Sequence, residues 1–215
     1  NRRPELVRTL LKCGADGAVQ DEAGDSPLHL ALVQGDLTIL ALLLEGPHNL
    51  LAANSRGHNA LHIAAVRGDR EAVRAVLGRD PGVANMVSRE GDSALHLAAS
   101  LASLQALLEF PQADLDIADS RGRTALQGAA SLLQTSRVVA LVRAGASVGA
   151  QDLQGESAAH LALQAEPGQV EEEEYSGGLE ELAEPSLLEG LGRLGLDRRH
   201  LAQLAVVALL LRSGF

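Results

Sequence analysis

A six-residue phrase that begins with glycine recurs five times along this chain of 215 residues. Its copies are GDSPLH at 24–29, GHNALH at 57–62, GDSALH at 91–96, GRTALQ at 122–127 and GESAAH at 155–160. The opening glycines lie 31 to 34 residues apart. A catalytic cluster is built once, whereas a motif that returns at this interval is typical of a structural repeat. The phrase therefore predicts a repeat protein, although it contains a carboxylate, a hydroxyl and an imidazole.

The unit around the first copy predicts two short helices. Ser26 is a good helix N-cap, and Pro27 suits the first helical position, where a missing N–H costs nothing. We expect this helix to reach about Gln34 and to end at Gly35, with a second helix over about 37–44. Neither helix can bury its apolar face alone, so successive units must stack. The sequence predicts an all-α solenoid of stacked helix-turn-helix units.

Equivalent apolar positions in neighbouring units support this stacking. They are Leu28, Ala31, Leu40 and Leu43 in one unit and Leu61, Ala64, Val73 and Val76 in the next. Only Phe110, Tyr175 and Phe215 are aromatic, so the core must consist of Leu, Ala and Val. Cys13 is the single cysteine, which excludes an internal disulfide and a cysteine zinc cluster. We expect Cys13 to be a buried packing residue and the chain to work in a reducing, cytoplasmic setting.

The net charge of −10 comes from one segment. Residues 151–192 contain eleven acids and neither Lys nor Arg, so the repeats elsewhere are close to neutral. The repeats therefore offer no strongly basic surface for nucleic acid, and no glycine-rich loop joins a strand to a helix to hold phosphates. The apolar run over 201–211 is about half as long as a membrane span, so we expect a helix buried between neighbours.

The repeated phrase resembles the ankyrin repeat, whose consensus is D-x-x-G-x-T-P-L-H-x-A-A with a later L-L-x-x-G-A-D. Residues 21–31 are a near-complete copy of the first part, and LLKCGAD at 10–16 and LVRAGAS at 141–147 are copies of the ending. The resemblance covers about 5–165. It implies that the hydroxyl and the imidazole of each phrase form hydrogen bonds that tie turn and helix together. The residues in these structural roles are Ser26, His29, His62, Ser93, His96, Thr124, Ser157 and His160.

Three departures from the ankyrin pattern are local. Gln127 replaces the histidine of its phrase, Ala159 replaces a leucine, and LAASLASLQALL at 97–108 lacks the usual glycine turn, so that unit should pack differently. A metal site built from the histidines is the sharper alternative to a structural role. Stacked helices lie roughly 8–10 Å apart, so histidines one repeat apart cannot share an ion whose bonds are about 2 Å long. We therefore expect no metal, no cofactor and no catalytic residue.

A longer resemblance covers nearly the whole chain. DEAGDSPLHLAL, HNALHIAAVRGDREAVRAVL, DLDIADSRGRTALQ and LVRAGASVGAQDLQGESAAHLAL, with the interrupted last unit, resemble the ankyrin array of the Mind bomb family of E3 ubiquitin ligases. In that family the array lies between substrate-binding modules and RING fingers, and the ligase ubiquitinates Notch ligands to promote their endocytosis. The resemblance implies a substrate or adaptor platform, or an intramolecular scaffold. No RING spacing of Cys and His is present, so the chain is not an enzyme by itself. The alternative is an ankyrin inhibitor or scaffold of another signalling pathway, which masks a transcription factor.

This interpretation divides the chain into three parts. Residues 1–165 are ankyrin repeats, the first of them partial. Residues 166–199 are an acidic insertion in which LLEGLGRLG could form a short helix, and residues 200–215 supply the truncated second helix of the last repeat.

Ankyrin arrays usually bind proteins through their turn tips and the exposed side of their first helices. The residues that we expect on this surface are Arg56, His58, Arg67, Arg89, Arg121 and Arg123. One hypothesis is that the arginines bind an acidic peptide, and the alternative is ordinary solvated surface charge. A further hypothesis is that EEEEYSGG at 171–178 covers the arginines and competes with partners. We expect a protein partner, or other domains of the same ligase, and neither nucleic acid nor membrane.

Overall fold

The computed structural model describes residues 4–46, 49–165 and 198–213, and their regular secondary structure is helical. The helices are α1 (Pro4–Lys12), α2 (Pro27–Gln34), α3 (Leu37–Glu45), α4 (Ala60–Arg67), α5 (Arg70–Arg79), α6 (Ala94–Leu97), α7 (Leu101–Leu108), α8 (Ala125–Ser131), α9 (Thr135–Ala144), α10 (Ala158–Gln164) and α11 (Arg198–Ser213). A 3-10 helix covers Pro81–Asn85. The described residues contain two isolated antiparallel bridges and no strand longer than that. The expected all-α stack of helical hairpins is confirmed.

The chain divides into two compact units, residues 1–114 and 115–215. In the first unit α2 and α3 form one hairpin, α4 and α5 the next, and α6 and α7 the last. First helices pack on first helices and second helices on second helices, with α1 against α3. In the second unit α8 pairs with α9, α10 packs on α8, and α11 packs against α10 and α9.

Helix ends explain why these segments form helices of these lengths. Asp36 accepts hydrogen bonds from the backbone N–H groups of Thr38 and Ile39 and so caps α3. Gly35 ends α2 with a φ of 69°, in the left-handed region that glycine enters without steric cost. The expected ends of these two helices are confirmed to within one residue.

The core consists of small aliphatic side chains, as composition predicts. All eight apolar positions that align between two neighbouring units are at most 4% exposed: Leu28, Ala31, Leu40, Leu43, Leu61, Ala64, Val73 and Val76. Each hairpin contributes a thin apolar layer, so the fold needs no large aromatic core.

The unit without a glycine turn is built differently from the others. Its first helix, α6, has only four residues, and Ala98 leaves the helix with a ψ of 105°. Ser100 then caps α7 by accepting from the backbone N–H of Ser103. Its hydroxyl also donates to the carbonyl of Gly68 in the preceding hairpin. A serine thus performs the connection that a glycine turn performs elsewhere.

Helix α11 buries one face and exposes the other. Ala205, Val206 and Leu210 are buried, whereas Leu211 is exposed. The Gln203 side-chain amide donates to two carbonyls at the end of α10. Within the described residues no helix is long and apolar enough to span a bilayer. The acidic insertion, with LLEGLGRLG and EEEEYSGG, lies outside the described residues except at its last two positions.

One expectation about packing is wrong. Cys13 is exposed, not buried. It follows the last residue of α1, and α1 itself contributes no buried residue. The apolar neighbours of Cys13 in the sequence therefore do not form a core around it.

Candidate functional site

The hydroxyl and the imidazole of the first phrase tie a turn to a helix. His29 Nδ1 accepts a hydrogen bond from the backbone N–H of Ser26 at 3.2 Å and lies 2.7 Å from the Ser26 hydroxyl. Because Nδ1 is an acceptor, the proton resides on Nε2, which donates to the carbonyl of His58 at 3.1 Å. His29 therefore joins its own helix cap to the turn of the next repeat.

His62 repeats this arrangement with a different capping residue. Its Nδ1 accepts from the backbone N–H of Asn59 at 3.2 Å, and its Nε2 donates to the carbonyl of Asp92 at 3.0 Å. The side chain is 1% exposed. Burial lowers the pKa of His62 to about 4, although its hydrogen bonds to the carbonyls of Asp92 and Met86 oppose the shift. His62 is therefore neutral near pH 7, as a residue in the core must be.

The contacts at Nδ1 recur in two further phrases. The hydroxyls of Ser93 and Ser157 lie 2.9 and 2.8 Å from Nδ1 of the histidine three residues later, His96 and His160. Asn59, which stands where the other phrases have Ser or Thr, is not among the residues predicted from the sequence. Its signal was present, because Asn is as good an N-cap as Ser.

Gln127 reproduces the histidine pattern with an amide. Its Oε1 accepts from the backbone N–H of Thr124 at 2.8 Å, and its Nε2 donates to the carbonyls of Glu156 and Ala150 at 2.7 and 3.2 Å. Across the described part of the chain, no group of three His, Cys, Asp or Glu side chains could hold a metal ion. The nitrogens of His29 and His62 and the amide of Gln127 all bond to the fold, so the phrase has a structural role in these copies.

In the first unit, Arg56 and Arg89 lie side by side at neighbouring turn tips. The backbone N–H of Arg89 donates to the carbonyl of Arg56 at 3.2 Å. Both residues are exposed, and within the described residues neither side chain has an ion pair or a hydrogen bond. These two guanidinium groups are available to a partner.

His58 and Arg67 shape the same surface in other ways. The half-buried ring of His58 stacks on that of His62, with centroids 5.6 Å apart and planes at 17°. Burial and the charge of Arg56 lower the pKa of His58, while neighbouring acids oppose the shift. Arg67 Nη1 donates to the carbonyl of Val33 at 2.5 Å, which places the guanidinium over the end of the preceding first helix. Arg67 therefore joins two repeats.

In the second unit, Arg121 and Arg123 differ from each other. Arg121 is exposed, and its carbonyl accepts from the backbone N–H of Leu153. Arg123 Nε lies 3.1 Å from Asp152 Oδ2, and Nη2 lies 3.7 Å from Glu156 Oε2. Burial opposes ionisation of Asp152, but hydrogen bonds from backbone N–H groups and from Arg123 lower its pKa overall. Arg123 is thus engaged within the fold.

Exposed apolar side chains lie on the first helices of the first unit. Val33 on α2 and Val66 on α4 occupy equivalent positions and are 53% and 47% exposed, and Leu30 is 42% exposed. Apolar patches beside polar groups are typical of protein-binding surfaces. The sequence carried a signal for them. The two valines are 33 residues apart, one repeat interval, and each directly follows a buried residue of its helix.

Comparisons with known proteins identify the repeat. Residues 1–85 match the family described as Ankyrin repeats (3 copies). The chain is 31% identical over 151 residues to the Nuclear factor NF-kappa-B p105 subunit of Gallus gallus, which covers 67% of this chain and 15% of that protein. It is 32% identical over 131 residues to the E3 ubiquitin-protein ligase KEG of Arabidopsis thaliana, which covers 56% of this chain and 8% of that protein. The chain therefore spans only a small part of these relatives.

A solved structure shares the arrangement of the helices. The ankyrin repeat domain of Bcl-3, described as a unique member of the IkappaB protein family, has a TM-score of 0.68 and 29% identity. The match covers 74% of this chain and 72% of that domain. With the stacked hairpins and the family match, this likeness shows that the chain contains an ankyrin-repeat domain, a module that binds other proteins.

Proposed function

We propose that this chain is the protein-binding segment of a signalling regulator of the IkappaB type, and that it binds and masks a transcription factor in the cytoplasm. The observation that carries the proposal is the pair of exposed guanidinium groups of Arg56 and Arg89 at neighbouring turn tips, together with exposed Val33 and Val66 on the first helices of the same unit. The similarity to the p105 subunit and to the Bcl-3 ankyrin domain supports this class of partner.

The chemistry of the tips favours an acidic region of the partner. Binding a carboxylate at Arg56 or Arg89 breaks no ion pair within the described residues, so the interaction is not offset by a lost one. The exposed valines add apolar area, which charges alone would not supply. Arg121 is the comparable residue of the second unit, whereas Arg123 would first have to leave Asp152.

The residues expected at the partner surface therefore divide into two groups. Arg56, Arg89 and Arg121 would contact the acidic partner directly. His58, Arg67 and Arg123 would contribute indirectly, through contacts within the fold. The His58 ring stacks on His62 of its own repeat, and its carbonyl accepts from His29 of the preceding repeat. Arg67 and Arg123 each reach a neighbouring repeat.

A second candidate function is the ankyrin segment of a Mind bomb-type ligase. The similarity to the E3 ubiquitin-protein ligase KEG, together with the repeat phrases and the interrupted last unit, favours it. The partner would then be a Notch ligand tail, an adaptor or another domain of the same ligase. Paired Cys and His spacings of a RING finger in the parent sequence would select this candidate.

Calorimetry of the purified chain tests both candidates. Titration with an NF-kappa-B dimer and with cytoplasmic-tail peptides of Notch ligands should give binding to the first alone if the first proposal holds. Binding to the tails alone would select the ligase. Binding to neither would overturn both choices of partner.

A charge-reversal variant tests the surface once a partner has been found. Arg56→Glu with Arg89→Glu should weaken binding by about a hundredfold, because two attractive contacts become repulsive. Arg8→Glu with Arg212→Glu is the matched control, since it changes the net charge equally at exposed positions on helices and not at turns. Equal affinities of the two variants would contradict the role of the tips.

A further inference from the structure

An apolar groove runs between two second helices of the first unit, α3 and α5. It has a volume of about 670 Å³. Its lining residues are Leu37, Leu40, Ala41, Leu44, Glu45, Glu71, Ala75, Gly78 and Arg79. Leu40 and Leu44 are buried, whereas Leu37 is 40% exposed and the other lining residues are exposed. The groove lies on helices that the proposed function does not use.

The next groove along the stack, between α5 and α7, is covered by ion pairs. Arg70 and Arg74 on α5 both reach Glu109 beyond α7, each with an N–O distance of 2.7 Å. The two arginines also pull the pKa of Glu109 below its ordinary value, mainly through the hydrogen bond from Arg74. Three charged side chains thus lie over the junction of these helices.

The open groove has uncharged residues at the three positions that are equivalent to Arg70, Arg74 and Glu109. Counted from the N-caps of their helices, Leu37 and Ala41 on α3 correspond to Arg70 and Arg74 on α5. Counted likewise, Gly78 on α5 corresponds to Glu109. A Cβ at Gly78 would meet no atom within 4 Å, so packing does not require glycine there. The groove exists because Leu, Ala and Gly replace Arg, Arg and Glu.

The charges around the groove indicate what it could bind. Glu71 lies in the first turn of α5, at one end, and Glu45 and Arg79 lie at the last residues of their helices, at the other. Among the described residues none of these three has an ion pair. The end of the groove at Glu71 is therefore acidic, and the groove as a whole has two acidic residues and one basic residue.

We infer that this groove binds an amphipathic helix of a partner protein, with an apolar stripe flanked by a basic residue. Leu37 and Ala41 are exposed one turn apart on α3, where the buried Leu40 and Leu44 form the floor of the groove, and a helix with leucines at the same i, i+4 spacing fits its own ridges against them. A lysine or arginine beyond that pair meets Glu71. The site is distinct from the turn tips, so both surfaces can be occupied together.

Fluorescence anisotropy with three labelled, helix-stabilised peptides tests the inference on the whole chain. The first peptide carries two leucines four residues apart and a lysine one turn beyond, the second has glutamate for that lysine, and the third is a scramble of the first. The first should bind, and the second and third should bind at least about tenfold more weakly. Equal binding of the first peptide and the scramble would overturn the inference.

Three variants locate the peptide. Ala41→Arg with Gly78→Glu installs charges that cover the junction and should weaken binding by about tenfold or more. Gly78→Ala is the uncharged control, because its methyl group meets no atom of the chain within 4 Å, and it should weaken binding much less than the covering variant does. Glu71→Lys should invert the preference between the lysine and glutamate peptides. Unchanged binding by the covering variant, with circular dichroism showing an intact helical fold, would refute the site.

Two further measurements separate this inference from other outcomes. Arg56→Glu with Arg89→Glu should leave peptide binding unchanged, so failure of the proposed function and failure of the groove are distinguishable. Sedimentation of the chain at increasing concentration tests a second copy as the occupant. A dimer that the covering variant dissociates would assign the groove to self-association and overturn the inference.

Discussion

The hairpin that contains α4 and the hairpin that contains α8 perform the same two local tasks with different residues. At the helix start, His62 in the first hairpin and Gln127 in the second accept from a backbone N–H with one atom and donate to the next turn with another. The difference shows that the fold requires an acceptor and a donor at a fixed separation. It does not require an imidazole.

The helix ends differ in the same instructive way. Gly68 ends α4 with a φ of 71°, and Leu133 follows α8 with a φ of 54°, so both are left-handed. A leucine in this conformation costs about 1–2 kcal/mol. Leu133 is only 1% exposed, and burying a leucine contributes about 1.5–3 kcal/mol. Burial is the larger effect, which explains how a leucine can stand where the other hairpin has glycine.

Removal of the Leu133 side chain should give the largest effect. Leu133→Ala keeps the left-handed strain and leaves a cavity, so we expect a loss of about 3 kcal/mol in the free energy of unfolding. Leu133→Gly removes more atoms but relieves the strain, and should be no less stable than the alanine variant. Urea unfolding measures both. If the free energy of unfolding of Leu133→Gly were well below that of Leu133→Ala, the backbone strain at this residue would be negligible.

Removal of the hydrogen-bonding side chain at the helix start should lower the stability of either hairpin nearly as much as Leu133→Ala does. His62→Ala and Gln127→Ala each leave a buried backbone N–H and at least one carbonyl without their partners, which we expect to cost about 2–3 kcal/mol. His62→Gln should recover most of that loss, because glutamine performs this role at position 127. Urea unfolding again measures the three variants. If His62→Gln were as unstable as His62→Ala, the equivalence of the two residues would be wrong.

Lower pH should separate the two hairpins, because only one of their capping side chains titrates. The pKa of His62 is lowered from 6.5 to about 4 in the folded chain. Between these values the unfolded chain binds the proton and the folded chain does not, so stability falls as pH falls from 6.5 toward 4. We expect His62 to contribute a loss of about 2 kcal/mol between pH 7.5 and pH 5.

The matched variant for the pH prediction is His62→Gln. Its stability should fall less between pH 7.5 and pH 5, because a glutamine at position 62 binds no proton in this range. Gln127→His should gain a dependence of the same sign if burial lowers the new imidazole's pKa as it does that of His62. Thermal unfolding at the two pH values measures each slope. Parallel slopes for wild type and His62→Gln would contradict the assignment.

The features of these hairpins that sequence could predict are the local ones. The N-cap, the glycine turn and the alternation of buried apolar positions lie within about ten residues of one another, and repetition fixed their register. The roles of Arg67 and Arg123 could not be predicted, because each depends on an atom 29 to 34 residues away in a neighbouring repeat. The prediction that Cys13 is buried was wrong for a related reason. An apolar sequence context indicates burial only where another layer covers it.

The smallest effect should come from the glycines that end the helices. Gly68→Ala places a Cβ in the left-handed region and 2.9 Å from the Ser100 side chain, whose hydroxyl caps α7. Gly145→Ala meets the same backbone strain, at a φ of 96°, but no atom within 4 Å. We expect losses of about 1–2 kcal/mol at Gly68 and about 1 kcal/mol at Gly145. The difference in urea unfolding isolates the contact with Ser100, and it should shrink in a Ser100→Gly background, where that side chain is absent. A difference that persists there would show that strain in the turn, and not the neighbouring repeat, is what requires glycine at position 68.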